Sequence, residues 1–123
     1  MFLVDTCGWI EWMIDSPLAK NYSRYLTSPD TLIVPSLVQY ELYKWLCREM
    51  DQATALSAIA ATQTATVAPL DTSLALLSAD IAREFKLATA DAIIYATARQ
   101  HNATLVTSDA HFAGLPQVKY FQK

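Results

Sequence analysis

The sequence predicts an α/β fold, a three-layer α/β/α sandwich with a central parallel sheet of four to five strands. Two observations predict it. Short runs of branched apolar residues, bounded by polar or turn residues, are typical of strands that are buried on both faces. These runs alternate with helical stretches along most of the chain, and such alternation favours a parallel sheet with right-handed crossovers.

Five segments have the composition of buried strands. They are residues 2–4, 32–34, 67–70, 104–107 and 118–121, and Pro69 lies near the end of the third. In sheets of this kind ligands bind beyond the carboxyl ends of the strands. We therefore expect the residues that follow the first and fourth segments to line one crevice.

The first helices are predicted from their start signals. Ser16 and Pro17 have the pattern of an N-cap followed by proline at the first helical position. Ser36 and Gln39 have the spacing of a capping box, in which each side chain bonds the backbone at the other position. Both sites are expected to begin a helix.

The later helices are predicted from periodicity. Apolar residues that recur every three or four positions predict an amphipathic helix over residues 71–85 that faces the core; they are Leu74, Leu77, Ile81 and Phe85. Residues 89–101 are also expected to be helical. Asn102 then falls where a left-handed closing residue is expected.

Composition limits the class of protein. With 123 residues, 53% of them hydrophobic and 17% charged, residues 1–123 are expected to form a single domain. No apolar run approaches a membrane span, and no basic segment begins a signal peptide, so we expect a cytoplasmic protein without a membrane partner. Cys7 and Cys47 have no metal or disulfide spacing and are expected to be reduced. The net charge of −3 argues against nucleic-acid binding by a broad basic surface.

Two acidic residues of the first half are open to a structural and a functional interpretation. Asp5 follows the first strand and either caps the next helix or lines the crevice. Glu41 lies on a helix that is apolar nearly all round, where a carboxylate needs a partner. That partner is Lys44, a metal ion, or solvent reached by an extended side chain.

Two acidic residues of the second half are similarly open. Asp91 lies in a first helical turn, where the helix dipole favours negative charge. Asp109, in "VTSDAHF", has the position of an ordinary turn aspartate. If the four acids meet, a site without His or Cys indicates Mg²⁺ or Mn²⁺ rather than zinc, with one or two ions. We expect the ion to raise the melting temperature, because carboxylates held together repel one another.

Three stretches carry a resemblance to a known family. They are "FLVDTCGW", "VPSLVQYEL" and "ATADAIIYATARQHNATLVTSD". In spacing and order they closely resemble the PIN domain and, more narrowly, the VapC ribonuclease toxins of bacterial toxin–antitoxin pairs. The likeness runs from the first residue to the last, and its third block is the most specific.

The resemblance implies a metal-dependent endoribonuclease that acts with Mg²⁺ or Mn²⁺. Its catalytic and metal-binding residues would be Asp5, Glu41, Asp91 and Asp109. Thr6 and Thr107 match supporting hydroxyl positions that hold waters or neighbouring carboxylates. His111 stands where many relatives carry another acid, and Asn102 replaces the usual glycine.

The resemblance also implies the partners. They are an RNA substrate, such as a tRNA or another structured RNA, a cognate antitoxin protein, and a second copy of the chain in a homodimer. Lys44 and Arg48 follow Glu41 on one helix face, where they either contact phosphates or form a solvated edge.

Two other functions remain open from the sequence. One is a catalytically inactive PIN-like module that binds RNA or protein, against which the presence of all four acids argues. The other is a phosphatase or phosphoacceptor domain with an acidic crevice. That class needs a second acid two residues after the nucleophilic aspartate, and Cys7 occupies this position after Asp5.

Overall fold

A computed structural model describes all residues, 1–123. Five strands form one sheet: β1 (Phe2–Val4), β2 (Leu32–Pro35), β3 (Thr66–Ala68), β4 (Thr104–Thr107) and β5 (Val118–Tyr120). Six α-helices connect them: α1 (Thr6–Met13), α2 (Ala19–Leu26), α3 (Ser36–Glu49), α4 (Gln52–Thr62), α5 (Thr72–Phe85) and α6 (Thr89–Gln100). Short 3₁₀ turns lie at Pro29–Thr31 and Ala110–Phe112.

All neighbouring strands are parallel, in the order β3-β2-β1-β4-β5. The first strand is central, and its Val4 lies opposite Val106 of β4. Strands β2 and β3 lie on one side of β1, and the later strands β4 and β5 lie on its other side. The strand order therefore reverses between β1 and β4, and a crevice is expected at the carboxyl ends of these two strands. Ligands bind at this point in open parallel sheets. The predicted α/β/α sandwich is confirmed.

The strands are the centre of the core. Leu3, Val34, Leu105 and Val106 are fully buried or nearly so, because helices cover both faces of the sheet. Consecutive helices pack in pairs, α1 with α2, α3 with α4 and α5 with α6. None of these helices combines the length and apolarity that a membrane crossing requires.

One glycine allows the closest approach in this packing. A Cβ added at Gly8 would lie 2.5 Å from the Tyr22 ring and 2.5 Å from a Val4 methyl. A Cβ essentially never lies so close to a non-bonded carbon atom, so only glycine lets α1 sit this near to β1 and α2. The first turn of α1, which follows Asp5, is thereby held against the strand end.

One predicted helix start is displaced, and the helix that begins at Ser36 as predicted lacks its predicted capping box. The helix after Ser16 begins only at Ala19, because the Ser16 hydroxyl accepts the Leu18 N–H (3.1 Å) and closes a local turn. The capping box does not form, since Ser36 is already helical. The Gln39 amide instead donates to the Thr62 hydroxyl (3.0 Å) and so ties α3 to α4.

The other boundaries are closer to prediction. The third strand covers residues 66–68 rather than 67–70, since Pro69 has no N–H to continue the ladder. The helix from Thr72 is capped by Asp71, whose carboxylate accepts the Leu74 N–H. Asn102 has the expected left-handed backbone, with φ of 52°. The sequence does not predict helix α4.

Candidate active site

Asp5 directly follows β1 and is almost completely buried, at 5% exposure. One carboxylate oxygen accepts the Thr6 N–H (2.8 Å), so Asp5 is the N-cap of α1. The other accepts the hydroxyl of Thr107, which ends β4 (2.8 Å). Asp5 therefore satisfies both interpretations of its sequence position: it caps α1, and it lies at the carboxyl ends of β1 and β4.

Glu41 reaches the same region from α3. Its Oε1 accepts the Thr6 hydroxyl at 2.6 Å, although 35 positions separate the two residues. Lys44 is not its partner, because the Lys44 ammonium lies over the Tyr40 ring at 5.7 Å. The half-buried carboxylate of Glu41 is thus held by a neutral hydroxyl beside Asp5.

Asp109 lies two residues past β4. Its N–H donates to the Thr107 hydroxyl oxygen at 2.9 Å, and its carboxylate accepts the His111 N–H at 2.9 Å. Thr107 consequently contacts two acidic residues at once, since it also donates to Asp5. One hydroxyl fixes the spacing between the ends of β1 and β4.

Asp91, in the first turn of α6, completes the group through His111. The His111 Nδ1 lies 3.1 Å from Asp91 Oδ2 and 3.2 Å from Asp109 Oδ1. Ligand atoms of these three residues all lie within 4.8 Å of one another, and this tight set does not include Asp5 or Glu41. The four acids are therefore linked through Thr6, Thr107 and His111.

The electrostatics of the group are those of uncompensated negative charge. The pKa of Asp5 is raised to about 6, mainly by burial and in addition by the charges of Asp109 and Glu41, although the hydrogen bonds from Thr107 and Thr6 lower it. Burial and then the charge of Asp109 also raise the pKa of Asp91. None of the four acids forms an ion pair with lysine or arginine. A bound cation would relieve this repulsion.

The donor set fits a divalent cation. Asp91, Asp109 and His111 offer two carboxylates and one imidazole within 4.8 Å of one another, and Thr107 connects Asp5 to Asp109. Carboxylate oxygens suit Mg²⁺ and Mn²⁺, whereas an imidazole nitrogen favours the later transition metals. The set of four acids without histidine therefore stays a prediction, and the sequence does not show that the His111 ring turns towards Asp91.

Cys7 lies beside these acids without the features of a nucleophile. Its Sγ is 3.6 Å from Asp5 Oδ2 and 3.5 Å from the Thr107 hydroxyl. Burial, followed by the Asp5 charge, raises the pKa of the Cys7 thiol. The sulfur is therefore a neutral thiol at pH 7, which disfavours cysteine chemistry.

The two cations suggested for substrate contact lie elsewhere. Lys44 and Arg48 are exposed on α3, and Arg48 pairs with Glu49 at 3.1 Å. No hydrogen bond or ion pair joins either of them to the four acids. The structure does not bring them into the group.

Comparisons with known proteins agree with this geometry. The family model of the PIN domain matches residues 2–117. Among solved structures, a toxin–antitoxin complex from Klebsiella pneumoniae is similar at a TM-score of 0.79 and 24% identity, covering 97% of this chain and 96% of that one. VapBC2 from Rickettsia felis, bound to a DNA fragment from its promoter, has a TM-score of 0.75 and 16% identity, with 98% of each chain covered.

A third similar structure is Mycobacterium tuberculosis VapC20, a toxin that cleaves the sarcin–ricin loop, at a TM-score of 0.71 and 16% identity. The match covers 99% of this chain and 90% of that one. No curated protein matches the sequence significantly. At these identities the structural likeness establishes the fold.

Proposed function

The chain belongs to the PIN domain family, and from this premise we propose that it is a metal-dependent endoribonuclease. Residues 1–123 would act as a single cytoplasmic domain that hydrolyses phosphodiester bonds of RNA. The observation that carries the proposal is the group of four acids at the carboxyl ends of β1 and β4, none of them paired with a lysine or an arginine. Such a group has high free energy unless a cation binds.

The proposed metal-binding residues are Asp5, Glu41, Asp91 and Asp109, and we add His111 to them. Mg²⁺ or Mn²⁺ bound there would lower the pKa of a water and neutralise charge that develops on the phosphate. The remaining tasks fall to side chains of this protein. Thr107 orients Asp5, and Thr6 orients Glu41, each through one hydrogen bond.

We also propose that the protein is the toxin of a VapC-type toxin–antitoxin pair. Several of the similar structures are toxin–antitoxin or VapBC complexes. An open cavity of about 400 Å³ lies among α1, α3 and α4, lined by apolar residues that include Trp12, Leu46 and Met50. Apolar surface of this kind marks protein contacts, and it suits an antitoxin segment. A homodimer would cover further exposed side chains, such as Leu76 at 65% exposure.

The substrate is proposed more broadly. Unstacked bases in single-stranded loops are accessible to protein side chains, so a tRNA or another structured RNA with such loops is the expected target class. Lys44 and Arg48 remain proposed contacts to more distant phosphates, since both are exposed on the helix that carries Glu41.

The activity is tested by sequencing RNA ends after brief expression of the wild type and of Asp91→Asn. Specific new ends in the wild type alone are expected. Asp80→Asn is the matched control, because Asp80 is an exposed acid paired with Arg83 on α5. The same RNA pool treated with purified protein should be cut with Mg²⁺ or Mn²⁺ and left whole in EDTA. RNA binding without any cleavage would instead indicate an inactive binding module.

The partners are tested by gel filtration with light scattering. We expect a dimer of the chain alone, and a larger complex when the protein encoded beside it is co-expressed. A monomer under both conditions would refute both partner proposals.

A further inference from the structure

A second cavity opens directly beside Asp91 and His111. It has a volume of about 260 Å³, lies between the end of α5 and the start of α6, and is lined by Phe85, Lys86, Leu87, Ala88, Asp91 and His111. Pockets for drug-sized ligands have volumes of about 300–1,000 Å³. This cavity is slightly smaller and therefore suits one flat group such as a nucleobase.

Lys86 supplies a free positive charge at this cavity. It ends α5 in the left-handed conformation, with φ of 56°, where glycine is the usual residue. Its exposed ammonium makes no ion pair, whereas Arg83 on the same helix is bound to Asp80 at 2.7 Å. The backbone of Lys86 is fixed by the helix end, and its side chain is available to an anion.

The apolar part of the lining presents a fixed aromatic ring. Phe85 packs edge-on against the buried Tyr95, with ring centroids 5.2 Å apart and planes at 90°. The guanidinium of Arg99 lies 5.9 Å from the Phe85 ring centroid and further restricts the ring. Aromatic and aliphatic side chains are the surfaces on which unpaired bases stack.

The start of α6 adds a partial positive charge to the rim of the cavity. Ala88 is the N-cap and has no side-chain oxygen to accept the N–H groups of the first turn. The positive end of the helix dipole therefore lacks a side-chain cap there, although Asp91 partly offsets it. Together with Lys86 this end of the helix favours a phosphate beside the base.

We propose that this cavity binds the nucleotide next to the scissile phosphate of a single-stranded RNA segment. The base lies against Phe85 and Leu87, and the phosphate contacts Lys86. This inference rests on the proposed nuclease function and extends it to substrate positioning. It also supplies the cation that Lys44 and Arg48 do not bring to the four acids.

The test measures binding of a short, fluorescein-labelled, mixed-sequence single-stranded RNA in EDTA, where metal-dependent cleavage stops. Lys86→Ala retains the Cβ and the left-handed backbone cost, so the fold is not perturbed at this position. We expect its affinity to fall roughly three- to tenfold, and the slope of log K against log salt to fall by about 0.7. Lys86→Arg should retain affinity. Lys20→Ala, which removes an exposed lysine from α2, is the matched control.

A second variant tests the base-binding part. Ala88 lines the cavity, is exposed and has an extended backbone, so we expect Ala88→Phe to occupy the cavity at little cost to the fold. Loss of one stacked base should weaken RNA binding by about fivefold or more. Cleavage of an RNA pool by the wild type with Mg²⁺ is measured in parallel, and Ala88→Phe should shift the positions of the cuts.

The outcomes separate the two levels of the proposal. If the wild type cuts RNA while Lys86→Ala or Ala88→Phe binds like the wild type, the cavity is not a nucleotide site and the nuclease assignment stands. If the wild type neither binds nor cuts RNA, both are wrong.

Discussion

Replacement of Asp5 by asparagine should stabilise the protein at neutral pH in the absence of metal. The carboxylate is buried at 5% exposure and has no cationic partner, so its charge opposes folding. Asparagine has nearly the same shape and can still accept the Thr6 N–H. Its amide can donate to the Thr107 hydroxyl oxygen, which has a second lone pair free beside the Asp109 N–H.

The size of the effect follows from the pKa. Asp5 titrates at about 6 in the folded chain, against 3.8 for an ordinary aspartate. This difference corresponds to about 3 kcal/mol of the free energy of unfolding at pH 7. Rearranging the Thr107 hydrogen bond costs about 1 kcal/mol, so the net gain is about 2 kcal/mol.

The sign of the pH dependence follows as well. Because the folded pKa is raised, the native state binds a proton before the unfolded chain does. Wild-type stability therefore increases as the pH falls from about 6 towards 4. The advantage of Asp5→Asn should be present at pH 7 and absent near pH 4.

Urea unfolding in EDTA at pH 7 and pH 4 measures this difference, with Asp80→Asn as an exposed control that changes little. Added Mg²⁺ or Mn²⁺ should raise the stability of the wild type and much less that of Asp5→Asn. Asp5→Asn could instead be less stable than the wild type at pH 7, or could be stabilised by metal to the same extent. Either result would show that Asp5 is not an unpaired carboxylate that binds the metal ion.

Three further predictions concern single side chains. Gly8→Ala should lower the free energy of unfolding by about 1–3 kcal/mol, as measured in urea. The clash of the added Cβ with Tyr22 and Val4 outweighs the better helix propensity of alanine, and equal stability would contradict this packing. His111→Ala should weaken Mn²⁺ binding by about tenfold and Mg²⁺ binding less, as measured by metal-dependent melting. Equal losses for the two ions would mean that the His111 imidazole nitrogen is not a ligand. Lys86→Gly should raise the stability by about 1 kcal/mol in thermal unfolding, because glycine adopts the left-handed backbone without a Cβ penalty. No gain would argue against backbone strain at Lys86.

The strands were predictable because their signal is local. Residues 2–4 and 104–107 are buried on both faces, so each reads as an uninterrupted apolar or β-branched run. Helix α4 has no such signal. Its sequence, QATALSAIAAT, contains many alanines and few large apolar residues, and its buried face consists of Ala55, Ala58 and Thr62. Small side chains allow close packing on α3 but leave no periodic hydrophobic pattern.

The sequence predicts which acids lie close together in the candidate site, but it does not predict their hydrogen-bond partners. Asp5 and Asp109 could be placed together because both follow strands of a parallel sheet. The contacts of Thr6 with Glu41 and of His111 with Asp91 depend on rotamers and on loop conformation, and 35 and 20 positions separate the respective partners. Local sequence does not determine such contacts, because they form only when distant elements have packed.

The pairing of β1 with β4 has a consequence for synthesis on the ribosome. Strand β1 leaves the exit tunnel long before β4 is synthesised. Asp5 at the end of β1 contacts the Thr107 hydroxyl of β4, and 102 positions separate the two residues. A nascent chain interrupted before residue 104 therefore lacks Asp109, His111 and the whole of β4, whose Thr107 hydroxyl contacts Asp5. Any nuclease activity would therefore arise only after translation has passed β4.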